Sequence, residues 1–211
     1  MGDLSLLAGD CPTVINTVIF DFDGVIAEPG FRLGLAQMAL PTDHSIEHIA
    51  RQGMRALLKS GYVTGQGSEA QFWEILTESI EMAGDFQQLR QAIISRSEIR
   101  QPMLRLAKEL RGQGVTVALL SDHTDWLDQI IADQGLADHF DFVFNSYHLQ
   151  QCKRDAELFD RIVGLVQAVA EQTLFIDDNP SNVDRAISRG LQGITYQSHQ
   201  QLRTDIAGFG F

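Results

Sequence analysis

The chain has 211 residues, and 28 acidic against 16 basic side chains give it a net charge of −12. That balance argues against proteins that bind nucleic-acid backbones or anionic membrane surfaces, and 44% hydrophobic with 21% charged residues indicates a globular chain. The apolar runs are too short to cross a bilayer, and residues 1–31 contain neither Lys nor Arg, so we expect no signal or transit peptide.

Five short apolar runs rich in Val, Ile, Phe and Thr predict buried strands. In chain order they are Thr17–Phe22, Val115–Ser121, Asp141–Asn145, Thr173–Asp177 and Gly193–Tyr196. Helical patterns lie between most of them, at Asp125–Gln134, Ala156–Glu171 and Asn182–Arg189. This alternation predicts an α/β fold: a doubly wound, Rossmann-like parallel sheet with helices on both faces.

One stretch breaks the alternation, because no strand pattern occurs between about Ala27 and Glu98. Its periodicity predicts three helices, Ile46–Leu58, Glu69–Ala83 and Phe86–Ile99. An all-helical insert after the first strand predicts a small second domain at the carboxyl edge of the sheet. We therefore predict a catalytic core formed by residues 1–26 and 99–211, and a helical cap formed by residues 27–98.

The first predicted strand ends in two carboxylates, Asp21 and Asp23, followed by Gly24. Residues two apart on a strand point to the same side, so the two carboxylates are expected to face one point beyond the sheet. They repel each other there unless a cation lies between them or one of them holds a proton. Taken alone, the motif fits a solvated turn equally well.

Three further strand ends carry polar groups: Ser121, Lys153 and the pair Asp177 and Asp178. Lys153 precedes a predicted helix, where a cation opposes the helix dipole, so a nearby anionic group would explain its position. The acidic pair suits a hard cation such as Mg²⁺. Each group alone is also consistent with a helix cap, a surface lysine or a turn. In a parallel sheet, however, all of them meet at one edge.

This ordered set of four motifs resembles the haloacid dehalogenase-like hydrolases, a superfamily made mostly of phosphatases, over roughly residues 15–196. The helical insert has the position of that family's cap. The sequence Phe-Ile-Asp-Asp-Asn at 175–179 is similar to the branch of sugar-1-phosphate phosphatases and the phosphatase domain of bifunctional epoxide hydrolases. Two residues depart from the family pattern: Asp122, where Asn is usual, and Arg154, where Pro is usual.

The resemblance implies hydrolysis of a phosphomonoester through an aspartyl-phosphate intermediate. Asp21 is then the nucleophile, and Asp23 protonates the leaving group before it activates water. Ser121 and Lys153 hold the oxygens of the transferred phosphoryl group, and Asp122 lies at a position that often contacts substrate.

The resemblance also implies a Mg²⁺ cofactor. Its expected ligands are the carboxylates of Asp21 and Asp178 and the backbone carbonyl of Asp23, with Asp177 and Asn182 holding those ligands in place. The expected substrate is a small phosphorylated metabolite such as a sugar phosphate, with no nucleic-acid or membrane partner. The protein is expected to act as a monomer or a homodimer.

Other activities are compatible with parts of the pattern. Asp23 argues against a dehalogenase, and a phosphonate hydrolase is disfavoured because Lys59 is the only lysine of the insert. A signalling receiver domain carries its lysine last, whereas here Asp177 and Asp178 follow Lys153. A phosphomutase uses the same core motifs and stays open, as does a catalytically silent binding protein. Two cysteines, at positions 11 and 152, form no disulfide framework and favour the cytoplasm.

Overall fold

The computed structural model describes residues 14–36, 44–81 and 85–211, so the predicted helix end at Ala83 and the thiol of Cys11 lie outside the described residues. The strands are β1 Thr17–Phe20, β2 Thr116–Ser121, β3 Phe142–Asn145, β4 Thr173–Asp177 and β5 Gln192–Thr195. The helices are α1 Gly30–Ala36, α2 Ile46–Ser60, α3 Glu69–Ser79, α4 Phe86–Ile94, α5 Gln101–Gly112, α6 Trp126–Gln134, α7 Ser146–Leu149, α8 Glu157–Leu165, α9 Pro180–Ser188 and α10 His199–Ala207. None of these helices has the length and apolar character that crossing a membrane requires.

The five strands form one parallel sheet in the order β3–β2–β1–β4–β5, which confirms the predicted α/β fold. The strand β1 is central, because Phe20 pairs with Leu119 of β2 on one side and with Ile176 of β4 on the other. The strand ends at Phe20, two residues earlier than predicted. Hydrogen bonding to β4 nevertheless continues for one more residue, since the N–H of Asp21 donates to the carbonyl of Ile176 at 2.8 Å.

Helices cover both faces of the sheet, and the alternation of side chains decides which face each residue joins. Val18 and Phe20 lie in the cluster that contains residues of α5, α6 and α10. Ile19 and Phe175 lie in the opposite cluster, with residues of α8 and α9. Asp21 lies two residues after Ile19, and Asp177 lies two residues after Phe175. Both carboxylate side chains therefore leave the backbone on the α8 side of the sheet.

Several predictions about helices needed correction. In the insert, α3 ends at Ser79 and α4 at Ile94, before the predicted ends at Ala83 and Ile99. At the end of α4 the N–H groups of residues 96 and 97 donate to carbonyls three residues back, which closes the helix. The helices α1, α7 and α10 were not predicted.

The predicted helix Ala156–Glu171 is shorter, because α8 ends at Leu165. Gln167 adopts φ 55°, and the N–H of Ala168 donates to the carbonyl of Val163 at 3.0 Å, a pattern that closes a helix end. The helix α5 was not predicted, although its buried residues recur with helical spacing and pack on the sheet; they are Met103, Leu104, Leu106, Ala107 and Leu110.

The helices α1 to α4 between β1 and α5, here called the helical insert, surround a hydrophobic cluster that includes Phe72 and Trp73. Trp126 of α6 is fully buried in the same cluster, so the insert packs directly against the core. The chain enters and leaves the insert side by side, because Ala27 and Ile99 form an antiparallel bridge. Treating residues 27–98 as a separate domain stays a prediction.

Candidate active site

Lys153 lies at the centre of the charged groups at the carboxyl edge of the sheet. Its Nζ is 2.7 Å from Oδ1 of Asp21 and 2.7 Å from Oδ2 of Asp177. Asp21 follows the central strand β1 and Asp177 ends the neighbouring strand β4, so the register places both carboxylates on the side from which Lys153 approaches. The lysine is almost completely buried, at 2% exposure. The structure thus joins residues from three separate predicted motifs through direct ion pairs.

Burial and charge act against each other in this triad. Burial alone would lower the pKa of Lys153, but the charges of Asp21 and Asp177 outweigh it, and the pKa of the lysine is raised. Burial raises the pKa of Asp21 well above its ordinary value, and the neighbouring Asp177 and Asp178 raise it further while Lys153 opposes them. The site therefore holds an excess of negative charge that one ammonium group does not neutralise.

Asp177 is fixed on both of its oxygens. Oδ1 accepts a hydrogen bond from the N–H of Asn179 at 2.8 Å, and Oδ2 accepts one from Nδ2 of Asn182 at 3.0 Å in addition to the contact with Lys153. The helix α9 supplies Asn182, and Asn179 caps its start. The sequence predicted only a supporting role for Asp177, and its direct contact with the lysine was missed. Asp177 lies two residues after Phe175 on the same strand, which indicates that both side chains point to the same face of the sheet.

The end of β2 contributes Ser121 and Asp122. Both oxygens of Asp122 accept hydrogen bonds from the backbone N–H of Lys153, at 2.9 and 3.1 Å, so this carboxylate positions the lysine's main chain. Burial raises the pKa of Asp122, and the charge of Lys153 opposes that shift. Ser121 is buried to 1% exposure and lines the same cavity as Lys153. Its position agrees with the predicted phosphate-binding role, which stays a prediction.

Asp23 lies in the loop after β1, and its carboxylate is not part of the triad. Burial raises the pKa of Asp23, although the charge of His123 and the backbone N–H groups of Gly30 and Phe31 lower it. Its Oδ1 and Nε2 of His123 are both shielded from solvent without a hydrogen-bond partner. The ring of His123 is held at Nδ1 by the carbonyl of Thr124, 3.3 Å away. In the sequence His123 lies two residues after Ser121, close enough to contact substrate, but it belongs to none of the four motifs.

Three carboxylates have the spacing of a cation site. Asp21, Asp177 and Asp178 each offer an oxygen, and these oxygens lie within 4.8 Å of one another. Gly24 makes room for the third: a Cβ at this position would lie 2.2 Å from Oδ2 of Asp178, and its φ of 89° also favours glycine. Partial burial and the charge of Asp177 raise the pKa of Asp178. This crowded, oxygen-only donor set fits a hard divalent cation.

The charged groups lie on the floor of a cavity of about 520 Å³ between the core and the helical insert. Core residues, among them Asp21, Ser121 and Lys153, line the floor, whereas Phe31, Met54 and further residues of the insert line the remaining side. A cavity of this size accommodates a small organic molecule, with the charged groups at one end of it.

Residues 15–187 match the family model of the haloacid dehalogenase-like hydrolases. The chain belongs to this family. Its fold is similar to that of a solved family enzyme from Bacteroides thetaiotaomicron, with a TM-score of 0.70 and 19% identity over 87% of this chain and 94% of that one. A second structure of that enzyme, in complex with magnesium and inorganic phosphate, has a TM-score of 0.64, with 19% identity over the same shares of the two chains.

Two curated relatives have described activities. Bifunctional epoxide hydrolase 2 of Mus musculus is 27% identical over 199 residues, which are 84% of this chain and 35% of the relative. The chain described here thus spans about a third of the length of that relative. GMP/IMP nucleotidase of Escherichia coli K12 is 24% identical over 206 residues, 89% of this chain and 91% of the relative. The second relative is thus similar along nearly its whole length.

Proposed function

We propose that the protein is a Mg²⁺-dependent hydrolase of phosphomonoesters that acts on a small phosphorylated metabolite through an aspartyl-phosphate at Asp21. The observation that carries this proposal is the buried ion pair of Lys153 with Asp21, at 2.7 Å, on the floor of the cavity. The similarity to a nucleotidase over 91% of that protein's length supports phosphate-ester chemistry.

In the proposed first step, a carboxylate oxygen of Asp21 attacks phosphorus, and the bond between phosphorus and the ester oxygen breaks. The attack needs an ionised Asp21, although burial favours its protonated form. The neighbouring Lys153 ammonium opposes this effect of burial, stabilises the ionised carboxylate and donates to an oxygen of the phosphoryl group. Ser121 is the proposed second donor, because its hydroxyl lines the same floor.

Asp23 is the proposed proton donor and acceptor. Burial raises its pKa, which keeps a proton available for the departing ester oxygen. In the second step the ionised Asp23 removes a proton from water, whose oxygen attacks phosphorus. The bond between phosphorus and Asp21 breaks, inorganic phosphate leaves, and both carboxylates return to their starting states.

The proposed Mg²⁺ ligands are the carboxylates of Asp21 and Asp178 and the backbone carbonyl of Asp23. Asp177 lies in the same acidic group, but its Oδ2 contacts Lys153 and Asn182, so we assign it to holding the lysine. The bound cation supplies positive charge that offsets the charge of the phosphate against the surrounding carboxylates. Gly24 supports this assignment, since it leaves the space that the Asp178 carboxylate occupies.

An assay of inorganic phosphate release from an aryl phosphate with Mg²⁺ tests the proposal. Asp21→Asn should lower kcat by about 10⁴-fold or more, because the nucleophile is lost. Asp184→Asn is the matched control: this exposed residue of α9 does not line the cavity and should leave kcat unchanged.

Activity that survives Asp21→Asn would contradict the nucleophile, and activity that survives exhaustive chelation would contradict the metal. Recovery of the phosphoryl group on a second hydroxyl of the substrate, instead of as inorganic phosphate, would make the protein a phosphomutase.

A further inference from the structure

The two sides of the cavity differ in chemistry. The core side is charged and polar, as described above. The insert side, in the part of the chain that the structure describes, has one charged residue, Arg32, and six apolar ones: Pro29, Phe31, Met54, Leu57, Leu58 and Val63. We call these six residues the apolar wall. A phosphate group held on the floor would therefore direct the rest of its molecule toward the apolar wall.

The helix α2 forms much of the apolar wall with Met54, Leu57 and Leu58, which lie on one side of the helix because they are spaced by three and four residues. Leu57 is 4% exposed and anchors the helix in the insert, whereas Met54 is 46% exposed. The exposed residues next to Met54 along the helix, such as Arg55, are polar. Met54 thus presents apolar area to the cavity without a covering partner among the described residues.

Phe31 is fixed in place by its neighbours. Its ring centroid lies 6.1 Å from that of Phe72, which is fully buried in the insert. Gly53 lets α2 approach, since a Cβ there would lie 2.2 Å from Cδ1 of Leu35 and 3.4 Å from the ring of Phe31. The position of the apolar wall therefore comes from packing inside the insert and does not depend on a bound ligand.

The apolar wall discriminates between leaving groups by their polarity. A sugar or other polyol placed against it would give up hydrogen bonds to water, and the only polar side chain among the described residues on this side of the cavity is that of Arg32. An alkyl or aromatic group would instead exchange unfavourable contact with water for contact with Phe31, Met54 and Leu58. We propose that the substrate is a phosphomonoester whose alcohol part is apolar, an alkyl or aromatic alcohol, with the phosphate on the core floor and the apolar part on the apolar wall. This inference rests on the proposed function.

Binding of n-alkylphosphonates of increasing chain length, measured by calorimetry on the full chain with Mg²⁺, tests the inference without requiring turnover. Affinity should rise by about fourfold for each added CH₂ group until the apolar wall is covered. Met54→Gln and Leu58→Gln should each flatten this dependence. Leu33→Gln is the matched control, because Leu33 is a leucine of the insert that is 40% exposed and does not line the cavity.

Affinity that does not change with chain length would overturn the inference, as would a steep dependence that persists in both Met54→Gln and Leu58→Gln. Hydrolysis of alkyl phosphates and of glycerol phosphate, measured in parallel, separates the two claims. A chain-length dependence of binding without any ester hydrolysis would overturn the proposed function and support the apolar wall. Asp21-dependent hydrolysis with kcat/KM equal or greater for glycerol phosphate would retain the function and overturn the inference.

Discussion

The floor and the apolar wall of the cavity are built on different principles. On the floor, Lys153 and Asp177 are at most 2% exposed, and ion pairs and hydrogen bonds fix the positions of their side chains. The apolar wall offers surface area, and Met54 in it is 46% exposed. Moving a buried charge changes the electrostatics of the whole floor, whereas changing a wall residue alters only the area that a ligand covers. We therefore expect floor variants to affect kcat and stability, and wall variants to affect binding.

Among variants that change both stability and activity, the largest expected effect comes from Lys153→Met. The change leaves the carboxylates of Asp21 and Asp177 buried without their cation, which should lower the free energy of unfolding by about 3–5 kcal/mol. It also removes a donor to the phosphoryl group, so kcat should fall by about 10³-fold. Thermal unfolding and steady-state kinetics measure the two effects.

Lys108→Met provides the comparison, because Lys108 is an exposed lysine of α5 and does not line the cavity. The destabilisation by Lys153→Met should be smaller at acidic pH, where the two abandoned carboxylates take up protons. Equal effects of the two lysine variants would contradict the central role of the ion pair.

Asp23→Asn should separate stability from activity on the floor. Burial raises the pKa of Asp23 in the folded protein, so the folded state binds this proton more tightly than the unfolded chain does. Stability is therefore lost as pH rises from the ordinary carboxyl range through the raised pKa, and Asn removes that loss. The variant should unfold at a higher Tm than the wild type, by a margin that grows with pH, while kcat falls by about 10²-fold or more.

Thermal unfolding across a pH series with a chelator present measures this margin. A difference in Tm that stays constant with pH would show that the Asp23 carboxyl is not perturbed by burial.

Gly24→Ala should give a smaller effect, confined to the metal. The new Cβ would lie 2.2 Å from Oδ2 of Asp178 and should weaken Mg²⁺ binding by about tenfold or more. Gly135→Ala is a matched control: Gly135 also has a positive φ, 63°, but a Cβ there meets nothing within 4 Å. Both variants carry the same kind of backbone strain, so calorimetric titration with Mg²⁺ isolates the contact with Asp178. Equal affinity in the two variants would exclude Asp178 as a ligand.

Much of the fold follows from sequence patterns. Apolar runs and their polar ends predict all five strands, because buried parallel strands need continuous apolar stretches. The predicted end of α8 was wrong. Gln167, just after the helix, adopts a left-handed backbone conformation. Glycine or asparagine usually occupies this conformation, so a glutamine gives no sequence signal for it. Helix α5 was missed even though its apolar spacing is helical.

The site was predictable as a set of residues but not as a set of contacts. Parallel strand ends bring Asp21, Ser121 and Asp177 to one edge of the sheet, whichever way their side chains point. The contact of Lys153 with both Asp21 and Asp177 depends on the direction in which each carboxylate points from its strand end. The burial of Asp23 and His123, with Oδ1 and Nε2 lacking hydrogen-bond partners, depends on the conformation of the loops. The apolar wall depends on how α2 is oriented in the insert, which no local pattern specifies.

The stereochemical course at phosphorus reports directly on whether Asp21 is the nucleophile. An ester whose phosphate is chiral through its oxygen isotopes would be hydrolysed in isotopically labelled water, and the configuration of the released phosphate determined. Attack by Asp21 followed by attack by water inverts phosphorus twice, so we expect net retention of configuration. Net inversion would mean that water attacks the ester directly, and it would contradict Asp21 as the nucleophile.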